Sequence, residues 1–297
     1  MIVIGGGVAG MSAALVLGRC RRRVLVCDDG RPRNAVSRGV HGFLTRDGMP
    51  PDEFLRVGRE QVLVYPTVSW REGRVETAER QGAGFIVRLA DGHRITASTV
   101  LLATGLIDEM PAVEGFRQFW GHSAFICPFC DGWEVRDQRM VVLGGAVGVY
   151  GFTLELRQWA SELFLCTDGA DALTSEEVDH CRRLGIQVVK TKVAALEGSS
   201  VQVERLRFVD GSELPTRVVF LATYQHQRSP LAESLGCPLS DEGAITVCPE
   251  TCSVAPGLWV AGNASSGLQM AMIAAAEGLK AAHAINEYLV EQEIAGT

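Results

Sequence analysis

The residues best suited to carry chemistry lie near the middle of the chain, in the stretch Cys127-Pro128-Phe129-Cys130-Asp131-Gly132-Trp133-Glu134. Two thiols separated by two residues can close a small disulfide, and such a pair takes up or releases two electrons. Because the thiolate is the attacking species in thiol–disulfide exchange, the carboxylate of Asp131 beside Cys130 is a candidate proton acceptor. The pattern therefore predicts that Cys127 and Cys130 form a redox-active pair, which needs an electron partner.

Two other uses of the cysteine pair stay open from the residues alone. Zinc needs two further ligands, for which Cys248 and Cys252 are candidates, although they are not a second C-x-x-C pair. A glutaredoxin-like module also carries Cys-Pro-aromatic-Cys, but near the start of a small domain. We predict no metal, and we expect the other cysteines to be ordinary buried or loop thiols.

A candidate electron partner is a dinucleotide held by the amino terminus. Residues 1–4 predict a buried strand, and Gly5-Gly6-Gly7-Val8-Ala9-Gly10 fits the turn G-x-G-x-x-G before a helix. The glycines of such a turn bend the chain, let the backbone approach a pyrophosphate and let the helix pack on the strand. Asp28 ends the next predicted strand, where an acid accepts hydrogen bonds from ribose hydroxyls. These residues do not distinguish FAD from NAD.

The same strand–turn–helix order recurs after residue 139, so the chain holds two similar α/β halves. Arg139–Leu143 predicts a buried strand, and Gly144-Gly145-Ala146-Val147-Gly148-Val149 follows it as a second glycine-rich turn. Ala90-Asp91-Gly92-His93 predicts a hairpin turn. Residues 267–291 predict a long, alanine-rich helix. In the loop after the second strand, Asn34 can bond a phosphate or ribityl oxygen, or simply form a turn.

Length, charge and hydropathy exclude several classes of protein. The 297 residues suffice for one large or two medium domains, and the net charge of −7 gives no basic surface for nucleic acid. No apolar run reaches the roughly 20 residues that span a bilayer. The apolar amino terminus has its basic residues after it and glycines within it, so we do not expect a signal peptide. We expect a cytoplasmic protein with mostly free thiols.

Four features in this order resemble the low-molecular-weight thioredoxin reductase family of flavoproteins over nearly the whole chain. They are the first glycine turn with Asp28, Ala103-Thr104-Gly105, Cys127-x-x-Cys130-Asp131-Gly132, and Gly262-Asn263 before a helix that carries Gln269. The resemblance implies two Rossmann-like, three-layer α/β domains and a homodimer. Residues 1–112 and 239–297 would form an FAD-binding domain, and residues 113–238 an inserted pyridine-nucleotide-type domain that carries the cysteines.

The resemblance also implies roles for individual residues. The ADP part of FAD would be held by Gly5, Gly7, Val8, Ala9, Gly10 and Asp28, with Ala103, Thr104 and Gly105 close to the cofactor. Gly262, Asn263 and Gln269 would contact the flavin side. Cys130 would face the flavin ring, Cys127 would be the exchange thiol that meets the substrate, and Asp131 would move the thiol proton.

Three departures separate this sequence from NADPH-dependent members of that family. Ala146 replaces the middle glycine of the second turn, and Val149 replaces its last small residue, so the backbone cannot approach a pyrophosphate closely. Thr167-Asp168-Gly169-Ala170-Asp171 stands where a basic cluster should grip a 2′-phosphate, and two acids repel that group. Asn263 stands where the family usually has an aspartate. This change is compatible with FAD binding, because an Asn side chain still donates and accepts hydrogen bonds.

The first two departures resemble the related flavin-dependent dithiol oxidases of the holomycin and gliotoxin type. We therefore predict an FAD-dependent thiol–disulfide oxidoreductase that acts on a small-molecule or protein dithiol or disulfide. Its use of NADPH is expected to be weak, and oxygen is a possible electron acceptor. The alternatives are an NADPH-dependent thioredoxin-disulfide reductase and, in another class, a non-catalytic flavin redox sensor.

Overall fold

The computed structural model describes residues 1–265 and 267–295, and it divides into two compact units. Unit 1 comprises Met1–Ala35, Gly42–Ile107 and the described residues from His226 onward. Unit 2 comprises Val36–His41 and Asp108–Gln225. Both units combine helices with parallel strands, so the predicted α/β class is confirmed. No helix among the described residues is long and apolar enough to cross a membrane.

The elements follow one another along the chain in three stretches. The first contains β1 (Ile2–Ile4), α1 (Val8–Arg19), β2 (Val24–Asp28), α2 (Pro51–Leu63), β3 (Val68–Glu72), β4 (Val75–Gln81), β5 (Gly84–Leu89), β6 (Arg94–Ala97), β7 (Val100–Leu102) and β8 (Leu106–Asp108). The second contains α3 (Phe116–Phe119), β9 (Ala124–Phe125), α4 (Pro128–Asp131), β10 (Arg139–Leu143), α5 (Val149–Leu156), β11 (Glu162–Cys166), α6 (Ser175–Arg183), β12 (Gln187–Val189), β13 (Val193–Ser199), β14 (Gln202–Phe208), β15 (Glu213–Pro215), β16 (Val218–Leu221) and β17 (Gln225–Gln227). The third contains α7 (Leu231–Ser234), β18 (Ser253–Ala255), β19 (Leu258–Val260) and α8 (Ala271–Ala295).

Unit 1 is built on a six-stranded sheet in the order β18-β19-β7-β1-β2-β3. The strands from β19 to β3 run parallel, and they are short and apolar because both faces of the sheet are covered. One face packs against α1 and α8 in a core that includes Val3, Leu17 and Ile285. On the other face, the sheet β4-β5-β6 contributes Phe85 and Val87 to a second core. Unit 1 is therefore a three-layer fold.

Unit 2 repeats this arrangement around the parallel sheet β12-β11-β10-β16-β9. On one face Leu156 of α5 and Cys181 of α6 pack against Val142 of β10. On the other face, the antiparallel sheet β13-β14-β15 contributes Leu196 and Leu206 to a separate core. The repeat of strand, glycine turn and helix that we noted in the sequence thus corresponds to two units of the same layered design.

The unit boundaries differ from the expected domain boundaries in three places, one of which is residues 108–112, expected in the FAD-binding domain but part of unit 2. Residues 226–238, which we expected in the inserted domain, belong to unit 1, where Leu231 and Cys237 are buried in the same core as Phe85. Val36–His41, which we expected in the FAD-binding domain, belongs to unit 2. Neither of the last two segments shows a shift in composition that indicates the unit to which it belongs, because both are held by contacts with residues that are distant in sequence.

Candidate active site

Cys127 and Cys130 are joined by a disulfide, with their Cα atoms 5.2 Å apart. Cys127 has an extended backbone and precedes the short helix α4, which Pro128 begins. Proline suits this first position because its missing N–H is one that a helix start leaves unpaired. The backbone N–H groups of Cys130 and Asp131 both donate to the Cys127 carbonyl at 3.1 Å. The helical turn therefore sets the short distance between the two sulfurs.

Aromatic side chains flank the disulfide. Phe129 packs edge-on against Trp159, with ring centroids 5.9 Å apart, yet it keeps 52% of its surface exposed. Trp133 is 65% exposed, and the Arg136 guanidinium lies 4.0 Å from its ring centroid. A Cβ on Gly132 would meet the Pro128 carbonyl oxygen at 2.5 Å, so glycine is needed for this close packing. Exposed aromatic surface next to a disulfide can contact an apolar substrate.

Asp131 lies next to the disulfide in an environment that disfavours its charge. Burial, together with the nearby Glu134, raises the pKa of this carboxyl group to about 6, against the opposing effects of His41 and Arg38. A carboxyl group with a pKa close to neutrality can both accept and release a proton during turnover. This position and this pKa fit the proton-moving role that the family resemblance implied.

Sequence reasoning missed His41 and gave Glu134 no role. His41 Nε2 lies 3.7 Å from Glu134 Oε1 in the structure. His41 is 86 positions before the cysteine motif in the chain (127 − 41), and it comes close only because Val36–His41 folds with unit 2. Nothing in its local pattern could have revealed this. Glu134 could have been noticed as a second acid three residues after Asp131.

The predicted cofactor residues lie at one edge of the sheet in unit 1. The first glycine turn follows β1, Asp28 ends β2, Ala103-Thr104-Gly105 follows β7, and Gly262-Asn263 comes shortly after β19. These four strands are parallel and adjacent in the order β19-β7-β1-β2, so all four segments share the carboxyl edge. Open α/β sheets bind their ligands at that edge.

The first glycine turn has an open place in front of helix α1. A Cβ on Gly5 would meet the Ala103 carbonyl oxygen at 2.2 Å, and one on Gly10 would meet the Gly5 carbonyl oxygen at 1.9 Å. A Cβ on Gly7, by contrast, would meet nothing within 4 Å, and no side chain caps the helix. Val8 and Ala9 form the first turn of α1. Their backbone therefore faces a free space that suits a phosphate group.

Asp28 is fixed by backbone donors. Its Oδ1 accepts the N–H of Gly6 at 2.8 Å, and its Oδ2 accepts the N–H of Gly30 at 3.3 Å. Carboxylate oxygens have further lone pairs, so these bonds orient the group and leave it able to accept from ribose hydroxyls. Asn34 lies in a turn of the loop that follows β2.

The carboxyl-terminal residues differ in detail from the expectation. Helix α8 begins at Ala271, so Gln269 lies just before this helix rather than within it, and it accepts a hydrogen bond from Arg33. The N–H of Gly262 donates to Glu277 Oε2 at 2.7 Å. Glu277 is a residue that sequence reasoning missed, and it fixes the backbone next to Asn263.

The second glycine turn is longer than the first and is filled. Helix α1 begins three residues after Gly5, whereas α5 begins at Val149, five residues after Gly144. Gly148, with a φ of 85°, precedes α5, and the Val149 N–H donates to the Ala146 carbonyl at 3.1 Å. Val147 is 91% exposed at the tip of the turn. Helix α5 therefore starts two residues later after its strand than α1 does.

The loop after β11 closes on this second turn. A Cβ on Gly145 would lie 2.4 Å from Ala170 Cβ, just as one on Gly6 in the first turn would lie 2.4 Å from Trp70 Cη2, so this position is tightly packed in both turns. Asp168 accepts the N–H of Val193 at 2.7 Å, and Asp171 lies 3.9 Å from Lys190 Nζ. The acidic loop that the sequence singled out thus packs against Gly145 of the second turn.

Comparison with known proteins assigns the family. The model of the pyridine nucleotide-disulphide oxidoreductase family matches residues 1–278. The chain belongs to this family. The recognition made from the sequence motifs is therefore confirmed, and the protein is a disulfide oxidoreductase of the thioredoxin reductase type.

Individual relatives of this disulfide oxidoreductase support the same family assignment. A probable thioredoxin reductase of Arthroderma benhamiae is 30% identical over 298 residues, which cover 89% of this chain and 74% of that protein. Thioredoxin reductase tcpT of Claviceps purpurea is 30% identical, covering 83% of this chain and 80% of the relative. The crystal structure of HlmI matches with a TM-score of 0.95 at 35% identity, covering 99% and 93% of the two chains. A putative thioredoxin reductase TrxB from Bacillus anthracis matches with a TM-score of 0.93 at 31% identity, covering 98% of each chain.

The residues of this disulfide oxidoreductase fit the FAD that its family implies. The open place at Gly7, the uncapped start of α1 and the oriented carboxylate of Asp28 provide what a pyrophosphate and a ribose require. No cluster of three metal-ligating side chains occurs in the described part of the chain. Cys248 and Cys252 are free thiols, and Cys248 donates to Glu250 Oε2 at 3.2 Å.

Proposed function

We propose that this disulfide oxidoreductase oxidises a dithiol substrate through the Cys127–Cys130 disulfide, holds FAD in unit 1, and makes little use of NADPH. The contrast between the two glycine turns supports the proposal that the protein makes little use of NADPH. The first turn leaves free space at Gly7, whereas the buried Ala146 takes the corresponding place in the second turn, whose helix also starts two residues later. One nucleotide site is therefore suited to a pyrophosphate and the other is not.

The cysteine pair and Asp131 account for the exchange. A substrate thiolate attacks Cys127 Sγ, the Cys127–Cys130 bond breaks, and Cys130 leaves as a thiolate. The second substrate thiol loses its proton to the Asp131 carboxylate and displaces Cys127 from the mixed disulfide. One protein disulfide is broken, one substrate disulfide is formed, and two electrons reach the protein sulfurs.

FAD, when bound, supplies the acceptor for that electron pair. The chain's own residues have two tasks toward it. The carboxyl edge of the unit 1 sheet binds and orients the cofactor through the first glycine turn and Asp28. The Ala103-Thr104-Gly105 and Gly262-Asn263 segments complete that edge, and Glu277 fixes the latter through Gly262.

Weak use of NADPH follows from charge as well as from space. Asp168 and Asp171 occupy the loop where a 2′-phosphate needs cationic partners, and like charges repel. Asp168 is also engaged with the Val193 backbone, which holds the loop in its closed position. Oxygen is then a suitable terminal acceptor.

The surface around the disulfide favours a small apolar dithiol. Phe129 and Trp133 offer exposed aromatic area close to Cys127, and such rings bind flat or apolar groups well. A protein dithiol is the other possible substrate. We further propose a homodimer, as in the family that the sequence resembles, which sedimentation of the purified protein can test.

Anaerobic reduction tests the proposal. The purified, FAD-loaded protein is mixed in parallel with NADPH, NADH and a small dithiol, and flavin absorbance is followed. We expect the dithiol to bleach the flavin quickly and both nicotinamides to bleach it slowly. Rapid bleaching by NADPH would instead establish the NADPH-dependent reductase.

The Cys127→Ser variant is the control for the sulfur path. It should bind FAD normally but lose bleaching by the dithiol. Unchanged bleaching by the dithiol in this variant would show that electrons do not pass through the cysteine pair, and a protein that does not retain FAD would contradict the proposal as a whole.

A further inference from the structure

The segment Val36–His41 brings a histidine to the cysteine motif from a distant part of the chain. It packs on residues 121–122 of unit 2, since Arg38 Nη2 donates to the His122 carbonyl at 3.3 Å. A Cβ on Gly121 would meet the Val36 carbonyl oxygen at 2.4 Å, so the two backbones are in close contact. The position of His41 is therefore defined by backbone packing.

Three charged groups act on Asp131 from two elements. Glu134 follows it on the same segment, and His41 and Arg38 come from Val36–His41. His41 Nε2 and Glu134 Oε1 are 3.7 Å apart, and their side chains are 23% and 38% exposed. The pair is thus reached by solvent, and Glu134 follows the half-buried Asp131 by three residues.

Given the proposed function, we propose that His41 and Glu134 are positioning residues that set the proton affinity of Asp131 and pass its proton to solvent. The two side chains lie 3.7 Å apart, and both are partly accessible to water.

The proton balance shows why such a pair is useful. Oxidation of one dithiol breaks two substrate S–H bonds and one protein disulfide, forms one substrate disulfide, and leaves two protein thiolates and two protons. Asp131 can accept only one proton at a time. It must therefore release each proton before it can accept another, and an exposed His–Glu pair offers the route.

The electrostatic directions make the inference testable, because the two partners act oppositely. Glu134 raises the pKa of Asp131, and His41 lowers it. Removal of the Glu134 charge should therefore make Asp131 a weaker proton binder, and removal of the His41 charge a stronger one. A general loosening of the site would not move the two variants in opposite directions.

The experiment measures reduction of the Cys127–Cys130 disulfide by dithiothreitol between pH 5 and pH 8. Samples are quenched with an alkylating reagent, and the alkylated cysteines are counted by mass spectrometry, so no flavin signal is needed. The rate constant is divided by the thiolate fraction of the reductant at each pH. In the wild-type protein the corrected rate should fall as the pH drops through the region where Asp131 is protonated.

The variants are His41→Gln, Glu134→Gln and Asp131→Asn. We expect the fall of the corrected rate at low pH to move to higher pH in His41→Gln and to lower pH in Glu134→Gln. It should disappear in Asp131→Asn. The matched control is His93→Gln, which removes a histidine that lies 3.2 Å from Asp91 far along the chain, and its profile should equal that of the wild type.

Two outcomes overturn the inference. If the acidic side of the pH–rate profile shifts in the same direction in His41→Gln and Glu134→Gln, the pair acts only through structure. If it does not shift in either variant, the pair does not act on Asp131. Either result would leave the proposed function intact. A wild-type disulfide that dithiothreitol cannot reduce would instead contradict the proposed function itself.

Discussion

Asp131 lies beside the disulfide, but its half-buried carboxylate lowers the stability of the folded state. The free energy of unfolding can measure this effect for the single residue. Burial raises its pKa to about 6 from an ordinary value of 3.8. A carboxyl group whose folded-state pKa is raised favours the folded state while it is protonated. That contribution is complete below pH 3.8, and it is lost as the pH rises through 6. At neutral pH the charged Asp131 therefore destabilises the protein.

The Asp131→Asn variant should for this reason be more stable than the wild type at pH 8. The gain in free energy of unfolding is at most about 3 kcal/mol, because the side chain is partly open to solvent. At pH 4 the two proteins should be nearly equal. Urea unfolding at both pH values measures the difference. Asp171→Asn, at an exposed position, is the control and should show no such pH dependence. A wild type that is more stable than Asp131→Asn at pH 8 would contradict the burial argument.

At the scale of secondary-structure elements, the two glycine turns look alike in sequence and differ in structure. The sequence predicted a degraded second turn from Ala146 and Val149, but it did not predict that α5 starts later. That delay depends on Gly148 and on the loop at Ala170, which packs on Gly145 from a different part of the chain. Local patterns reveal the turn, whereas non-local packing decides its length.

Restoring the missing glycine should consequently not restore use of NADPH. In Ala146→Gly the backbone gains freedom, but α5 still starts two residues later after its strand than α1 does. We expect the rate of flavin bleaching by NADPH to change less than about tenfold, which corresponds to 1.4 kcal/mol. Stopped-flow absorbance measures this rate. A variant that is reduced as fast by NADPH as by the dithiol would show that the Cβ of Ala146 was the only obstacle.

Helix α8 packs against α1 through a glycine, and this contact reaches the cofactor site. A Cβ on Gly278 would lie 2.1 Å from the Ala9 carbonyl oxygen, so the two helices cannot hold a larger residue there. Ala9 belongs to the first turn of α1, next to the open place at Gly7. A shift of α8 therefore displaces the backbone that faces the cofactor.

Gly278→Ala should lower the free energy of unfolding by about 1–3 kcal/mol, the range for overpacked sites, and should weaken retention of FAD. Thermal unfolding and FAD release on dilution measure the two effects. Gly151→Ala is a matched control, because Gly151 is also helical but a Cβ there meets nothing within 4 Å. It should stabilise the protein by about 1 kcal/mol or less through helix propensity. Equal behaviour of the two variants would contradict the packing argument.

At the scale of the whole molecule, much of the architecture could be predicted from sequence, because the signals were local. The strand, turn, helix and strand of residues 2–28 match the predicted positions closely, and so does β10. The long last helix was predicted from its alanine content, although it begins at Ala271 rather than at residue 267. The residues of the glycine turns and the cysteine motif were identified from equally local signals, and their roles stay predictions.

What the sequence could not reveal depends on contacts between distant residues. Val36–His41 folds with unit 2, although the chain on both sides of it folds with unit 1. Residues 226–238 return to the core of unit 1 through Leu231 and Cys237. His41 entered the active site for the same reason. No periodicity or composition marks such segments, since their neighbours are set by the folded chain.

Each unit has its own pair of cores, and this separation predicts how the molecule responds to loss of FAD. The cores of unit 1 contain side chains of β1, α1 and α8, and those of unit 2 contain side chains of β10, α5 and β14. A ligand stabilises the part that must be folded to bind it, by about 2.7 kcal/mol when its free concentration is a hundredfold above Kd. FAD binding at the carboxyl edge of the unit 1 sheet should therefore protect that unit selectively.

Hydrogen exchange followed by mass spectrometry can measure this protection segment by segment in FAD-loaded and FAD-stripped protein. We expect exchange in β1, α1 and α8 to accelerate by up to about a hundredfold on removal of FAD, the factor that matches 2.7 kcal/mol. Exchange in β10, β11 and β14 should change little, because those amides open with the cores of unit 2, whereas the proposed FAD site lies in unit 1. Equal acceleration in both units would mean that the chain unfolds as one cooperative body, and acceleration mainly in unit 2 would place the cofactor on the other glycine turn.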